Sequence, residues 1–504
     1  MVTMAIWIIL AVYFLLMVAV GIISAKKADS LTNFVVGGRS AGPWVSAFAY
    51  GTTYFSAVIF IGYAGRSGWD FGLWALAIGL GNALFGAFLA WKVLAERTRD
   101  VTRRLKIKTM PQLFEQRFAS KGMKIYAAII IFFFMTPYSA SVYSGLSYLC
   151  EEVLGIDYHL AMLGIAVIAA VYLVAGGYVA SLTADLIQGI IMIGGVLAMI
   201  FFVTGSDDVG SLSGGVMRVY DKMAAQNVGG SPWNILVGVG SLVLLTSFGS
   251  WGLPQMVHKY YGIADKKSVK TGTVISTVFC TLIAVGAYFI GSLTHLFFNE
   301  VPRVNGAVNY DVMIPQVLVR TLPSVLLGVV LVLVLSASVS TLSGITLTSC
   351  SAISIDILQS SVFKTMDKKR TLLVTRLLCL IFIGASYLIA SFKSPILTLM
   401  AFSWGSVAGA FFAPYLLSLY WKGINRAGAW AGMVTGPFVC ITLAAFSGFK
   451  SANAPVFGVA AILASFAACF IGTKLNRRQS DGEHEAKNRF YDKEYTLQTA
   501  QAKV

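Results

Sequence analysis

Long apolar runs separated by short polar breaks set the pattern of this chain from near its start to about residue 475. A helix that crosses a bilayer needs roughly 20 apolar residues. Runs at 4–23, 125–148, 161–177, 325–339 and 372–390 approach or meet that length. The pattern predicts about thirteen spans, roughly at 4–24, 43–65, 71–92, 125–149, 158–176, 183–204, 234–256, 271–297, 323–351, 372–392, 396–421, 427–447 and 454–473. The expected architecture is an all-α membrane protein, with one transmembrane domain over 1–475. The stretch 476–504 is polar and of mixed charge, and reads as a cytoplasmic tail, disordered or a surface helix. The first apolar run has no basic leader and no small-residue cleavage site, and ends at Ala25-Lys26-Lys27, so it reads as a retained span.

Composition agrees with the pattern. The chain is 57% hydrophobic and 12% charged, against about 25% charged in soluble domains. The net charge of +16 raises the question of nucleic acid. Its placement answers no: the basic residues fall in the breaks between spans, with no basic face interleaved with aromatics. They gather on alternate breaks instead. One set is Lys26, Lys27 and Arg39; a second is Arg97, Arg99, Arg103, Arg104, Lys106, Lys108, Arg117 and Lys121. Further sets are Lys259, Lys266, Lys267 and Lys270; Lys364, Lys368, Lys369 and Arg370; Lys422 and Arg426; and the tail from Lys474. About 30 of the 38 Lys and Arg residues fall on this side and about seven on the other. The positive-inside rule then puts the N-terminus outside and the C-terminus in the cytoplasm. Compactness and short loops point to a bacterial inner membrane.

Polar residues inside the spans point to a site. Solute sites in transporters lie where helices are interrupted near the midplane. Gly51-Thr52-Thr53 falls near the centre of the second span, and Thr246 to Pro254 is poor in helix formers within the seventh. The five-span spacing of these interruptions fits two repeats of inverted topology, over about 43–204 and 234–421. In the ninth span Ser336, Ser340 and Ser343 share a face, with Thr341 beside it. Such hydroxyls either ligate a hard cation or simply bond back to the preceding turn. Asp185 opens an apolar run, as a functional intramembrane carboxylate or as a helix cap. The six cysteines lie mostly in apolar runs without C-x-x-C spacing, and read as buried free thiols. No catalytic triad, zinc motif or phosphate loop is present, so an enzyme is not expected.

Five motifs carry a resemblance. They are Gly37-Gly-Arg-Ser-Ala-Gly-Pro-Trp44, Gly176-Gly-Tyr-Val-Ala-Ser-Leu-Thr-Ala-Asp-Leu-Ile-Gln188, Gly252-Leu-Pro254 and Ala337-x-x-Ser340-Thr341. The fifth is Ser403-Trp-Gly405 through Phe412-Ala-Pro414 to Arg426-Ala-Gly-Ala-Trp-Ala-Gly432. In this order they resemble the sodium/solute symporter family over roughly residues 5–475. The resemblance implies a LeuT-type 5+5 inverted repeat with extra helices, and a sodium ion between the second and ninth spans. Its implied ligands are the carbonyls of Thr52, Phe55 and Ala337 with the hydroxyls of Ser340 and Thr341. Some members hold a second sodium, for which Asp185 and Ser343 fit; Gly344 stands where a further hydroxyl is wanted. Proline-type members carry an acidic residue where this chain has Tyr54, which points away from proline itself.

The expected partners are a small organic solute, sodium and the lipid bilayer. Candidate solute contacts are Thr53, Tyr54 and Ser56 at the first interruption, Asn82 in the third span, and Tyr138 and Ser139 after Pro137. Thr246 and Phe248 at the second interruption and Trp404 complete the set. No buried Lys or Arg is evident opposite the interruptions, so a solute carboxylate is expected to meet helix N-terminal amides. The expected function is sodium-coupled symport of a carboxylate, amino acid or similar solute by alternating access. The rivals are a proton-coupled carrier using Asp185, and a transporter-like sensor or channel, against which the short tail argues.

Overall fold

The computed structural model describes residues 4–25, 30–304, 306–363, 365–448, 453–476 and 479–492. Lys26, Lys27, Lys364, Arg477 and the last twelve residues of the tail lie outside the described residues. The fold is a bundle of long helices, eleven of which, among the described residues, are long and apolar enough to cross a membrane. Two segments separate this count from the expected thirteen. Val58–Arg104 runs as one helical stretch across the expected second and third spans, turning at Gly72, where φ is 56°. The other is Tyr158–Val171, a shorter apolar helix. It leads into the expected sixth span through Gly177, whose φ of 52° and ψ of −145° lie outside the helical region. That position suits glycine twice over: a Cβ there would need left-handed backbone and would stand 2.5 Å from the Phe34 ring.

The helices start where the sequence supplies caps. Thr109, Ser120, Asp157, Ser231, Asp265, Asp367 and Asn425 each accept a backbone N–H of the following turn. The N–H groups of Leu160 and His159 hold Asp157 below the usual carboxylate range, and Ser268 does the same for Asp265.

Two helices are broken near their middles. The first runs Pro43–Tyr54, leaves helical geometry at Phe55 (φ −110°, ψ 124°) and resumes toward Phe71. Thus the break lies just beyond the expected Gly51-Thr52-Thr53. Gly51 serves packing rather than the break, since a Cβ there would meet Phe279 at 2.3 Å. The second begins at Pro232, widens over Leu244–Phe248, tightens over Gly249–Gly252 and becomes extended at Leu253 (φ −80°, ψ 124°). Pro254 then opens the short helix Pro254–Tyr261; proline has no N–H to continue the preceding turns.

Between them passes Ser324–Ser351, buried from Val330 onward. Lys266–Ser292 packs closely on the first broken helix. A Cβ on Gly68 would stand 2.0 Å from the Gly291 backbone, and one on Gly291 would stand 2.0 Å from the Ala64 carbonyl.

Basic residues tie one end of the bundle together. Arg99 donates to the carbonyls of Ile263 (3.1 Å) and Ala264 (2.6 Å). Arg103 donates to Arg39 O at 2.6 Å, and Arg39 to Ile107 O at 2.5 Å. Within the tail, Asp481–Tyr491 is a helix docked here, with Glu483 accepting the Arg426 N–H at 2.6 Å and the Tyr491 hydroxyl donating to Ser418 O at 2.6 Å. The other end carries a small hairpin pairing Arg303 with Val308 and Val304 with Ala307, followed by Asp311, whose carboxylate accepts the Ile396 N–H at 3.2 Å. All six cysteines are buried and free.

Candidate functional site

The first break lies against the hydroxyl-bearing helix. Three hydroxyls there only bond back to the preceding turn or hold a neighbour: Ser338 to Val334 O, Ser343 to Val339 O and Thr348 to Gly344 O, each at 2.7 Å. Ser338 also accepts the Ala57 N–H at 3.2 Å, fixing the outgoing half of the broken helix. Ser340 and Thr341 behave differently. Thr341 Oγ1 lies 3.0 Å from Ala337 O, 3.1 Å from Thr53 O and 3.4 Å from Thr52 O. One hydroxyl proton serves one of these carbonyls. Ser340 Oγ lies 2.6 Å from Asp185 Oδ1, 2.9 Å from Thr52 Oγ1 and 3.3 Å from Thr53 Oγ1. The carboxylate is the strongest acceptor and takes the Ser340 proton. Thr52 donates its own proton to Phe48 O at 2.8 Å. Ser340 Oγ therefore has one proton and three oxygen neighbours, and the junction holds more oxygens than hydroxyl protons.

The result is a junction rich in oxygen and poor in protons. Oxygens that each sit about 2.4 Å from one hard cation, at right angles, lie about 3.4 Å apart. The observed spacings are of that order. Of the expected sodium ligands, Thr52, Ala337, Ser340 and Thr341 meet here, and Phe55 is the buried residue at the break itself.

Asp185 is fully buried, eight residues past the turn at Gly177, so it is not a helix cap. Its Oδ2 is 3.0 Å from Lys259 Nζ and within 3.3 Å of Ser181 Oγ. The Lys259 side chain is 1% exposed. This corrects two expectations. Lys259 is not a loop residue of the basic side, and a buried lysine does stand beside the breaks. The reason is positional: the second broken helix continues to Tyr261, so Lys259 rides on its outgoing half. Ser343, expected beside Asp185, bonds to Val339 O instead. A Cβ on Gly344 would stand 3.2 Å from Thr53 Cγ2 and 3.6 Å from Gln255 Cβ, so a longer side chain there has little room.

A second cluster occupies the other side of the first broken helix. Asn82 Oδ1 lies 2.7 Å from Thr246 Oγ1, 3.1 Å from Ser247 Oγ and 3.3 Å from the Tyr54 hydroxyl. Tyr54 also donates to Thr246 O at 2.7 Å, and its ring stacks on Trp404 with centroids 6.5 Å apart. Tyr138 meets Trp404 edge-on at 5.6 Å and reaches the Ser56 side chain. Asn82 Nδ2 and Ser139 Oγ are buried without a hydrogen-bond partner among the described residues.

Two expected solute contacts lie elsewhere. Thr53 turns toward Ser340, and Phe248 joins a half-buried stack with Phe85 and Trp251. Residues missed in the sequence include Ser247, Lys259 and Gln255, whose two side-chain polar atoms have no partner among the described residues. For Lys259 a signal existed: the apolar stretch Tyr260-Tyr261-Gly262-Ile263 separates it from the true basic run at Lys266. A cavity of about 600 Å³ opens at the hairpin end and is lined by Arg66, Asp70, Trp233, Ser241 and Leu242. Leu242 O accepts the Thr246 hydroxyl at 2.7 Å, so the cavity abuts this cluster.

Two helices broken at mid-length, each opening toward buried polar clusters, define a secondary transporter of LeuT type. Solved structures share the fold. A substrate-bound, outward-open sodium-coupled sialic acid symporter matches with a TM-score of 0.79 at 18% identity, over 95% of this chain and 99% of that one. A nucleobase-cation-symport-1 family transporter in a closed conformation matches with a TM-score of 0.52 at 18% identity, over 90% and 98%. The chain belongs to the sodium:solute symporter family, whose model matches residues 34–436. A sodium/proline symporter of Staphylococcus aureus (strain JH9) is 29% identical over 485 residues, covering 93% of this chain and 91% of that protein.

Proposed function

We propose that the protein imports a small organic solute, a carboxylate or amino acid, together with sodium. The observation that carries this reading is the proton-poor oxygen junction between the first break and the hydroxyl-bearing helix. Sodium is held there by the carbonyls of Thr52, Phe55 and Ala337 and the hydroxyls of Ser340 and Thr341. The ion joins the two helices across that junction, and so favours one packing of the bundle. Solute binds between Tyr54, Asn82, Thr246 and Trp404, reached from the cavity at the hairpin end. That end faces outward and the Arg99 end faces the cytoplasm, as the positive-inside rule requires. The names of the relatives support sodium coupling and an organic solute. Tyr54 offers a neutral hydroxyl rather than a carboxylate, which favours a solute other than proline.

The cycle is alternating access. The membrane potential contributes about 2.3 kcal/mol per sodium charge per 100 mV. In proteoliposomes, a panel of amino acids, monocarboxylates, pantothenate and sugars is expected to return a solute taken up only with an inward sodium gradient. Ser340→Ala and Thr341→Ala are expected to lower that uptake at least about tenfold, the effect of losing about 1.4 kcal/mol of ion binding. Full uptake by either variant without sodium overturns the reading.

A further inference from the structure

We propose that the Lys259 ammonium is a resident cation, held at Asp185 where a second transported ion would otherwise sit, and that it limits the protein to one sodium per cycle. The proposal rests on the sodium reading of the junction at Thr341 and deepens it.

Lys259 and Asp185 are buried together, with side-chain exposures of 1% and 0% and an Nζ to Oδ2 distance of 3.0 Å. The ammonium also lies 5.2 Å from the centre of the Tyr178 ring, whose face attracts a cation. The other carboxylate oxygen takes the Ser340 hydroxyl at 2.6 Å. Ser340 in turn lies 2.9 Å from Thr52 Oγ1, inside the ion junction. The pair is thus one hydroxyl away from the first ion.

Three features disfavour a further cation at Asp185. Its charge is already balanced by Lys259. Ser343, the further hydroxyl expected there, donates to Val339 O at 2.7 Å and makes no hydrogen bond to Asp185. Position 344 is a glycine with little room for a longer side chain. Remove the ammonium and the picture inverts: a buried carboxylate stands bare beside an oxygen-rich junction, and a mobile cation is the available neutraliser.

The test is equilibrium binding of radiolabelled sodium to the purified full-length chain. Wild type is expected to bind one ion per chain with a Hill coefficient of about 1. Lys259→Met is expected to bind twice as much sodium per chain, with the coefficient rising toward about 2. Lys259→Arg keeps the charge and stays at one ion. The double variant Lys259→Met with Asp185→Asn removes both charges and also returns to one. Two ions on wild type, or a single ion on folded Lys259→Met, overturns the proposal. If Lys259→Met does not fold, the wild-type count and the double variant decide: two ions on either one overturns it. Failure of the underlying reading looks different. In that case wild type shows no saturable sodium binding, or binding that Thr341→Ala leaves intact.

Discussion

The first broken helix divides two polar clusters that treat their buried groups in opposite ways. On one side Thr52 and Thr53 face Ser340, Asp185 and Lys259. That cluster contains full charges, and each charge has a partner: 3.0 Å between Lys259 and Asp185, 2.6 Å between Asp185 and Ser340. On the other side Tyr54 faces Asn82 and Thr246. That cluster is neutral and poorly matched. Three hydroxyls crowd Asn82 Oδ1, while Nδ2 has no partner among the described residues. The Tyr288 hydroxyl lies beside the same amide. A buried donor without an acceptor costs about 1–3 kcal/mol. On the proposed reading the charged side is the frame for the ion and the neutral side, with its unpartnered amide, is the solute's. One turn of helix would then present the ion to one neighbour and the solute to another.

Breaking the charged side has the largest expected effect. Lys259→Met leaves Asp185 buried and unpaired, a loss of about 3–5 kcal/mol. Thermal unfolding in detergent, in choline buffer without sodium, is expected to show a large fall in midpoint. Adding sodium is expected to restore part of it, because an ion bound only by the folded state stabilises it by mass action. The double variant Lys259→Met with Asp185→Asn is expected to lie much nearer wild type. A midpoint unchanged in Lys259→Met would mean that the pair carries no such burden.

Breaking the neutral side is expected to cost function more than stability. Asn82→Ala removes the amide that Tyr54, Thr246 and Ser247 surround. Loss of about 1–3 kcal/mol of solute binding lowers kcat/KM of uptake by about ten- to a hundredfold. Sodium binding is expected to stay at the wild-type level, since Asn82 touches none of Thr52, Ser340 and Thr341. If Asn82→Ala weakens sodium and solute equally, the two clusters are not separate.

The charged side was largely legible in the sequence, and the way in which it was not is instructive. Ser340 and Thr341 stood out as hydroxyls in an apolar run, and Asp185 as a carboxylate in another. Helical periodicity put Ser336, Ser340 and Ser343 on one face; only the family resemblance put Asp185 beside that face. Lys259 was hidden because a lysine seven positions before Lys266 looks like part of the same loop. Only the continuation of the second broken helix to Tyr261 carries it into the core. The first break was misplaced by a few residues for a related reason. Gly51 looks like a helix breaker, yet its missing side chain makes room for Phe279, while the chain leaves the helix at Phe55, a residue with no such signature. Packing and breaking draw on the same small residues, and sequence alone does not separate them. Phe248 was misread the same way, as an aromatic at a break that packs with Phe85 rather than on the site.

The smallest expected effect is the most diagnostic of how the two sides meet. Tyr54 is the last residue of the incoming half of the first broken helix and directly follows Thr53, whose carbonyl faces Thr341. Its hydroxyl donates to Thr246 O at 2.7 Å, linking the first broken helix to the second. Tyr54→Phe deletes that hydrogen bond and keeps the ring on Trp404. The net loss is about 0.5–1.5 kcal/mol, or about two- to tenfold in kcat/KM. Where the loss appears is the informative part. A rise in KM for solute at fixed sodium assigns the hydroxyl to the solute pocket alone. A matching rise in the sodium concentration for half-maximal uptake means that the Tyr54–Thr246 link also holds the Thr52 and Thr53 carbonyls in place. Because those carbonyls precede Tyr54 on one rigid turn, both constants are expected to rise, with solute affected more. An unchanged sodium requirement would show that the break at Phe55 uncouples the two clusters rather than joining them.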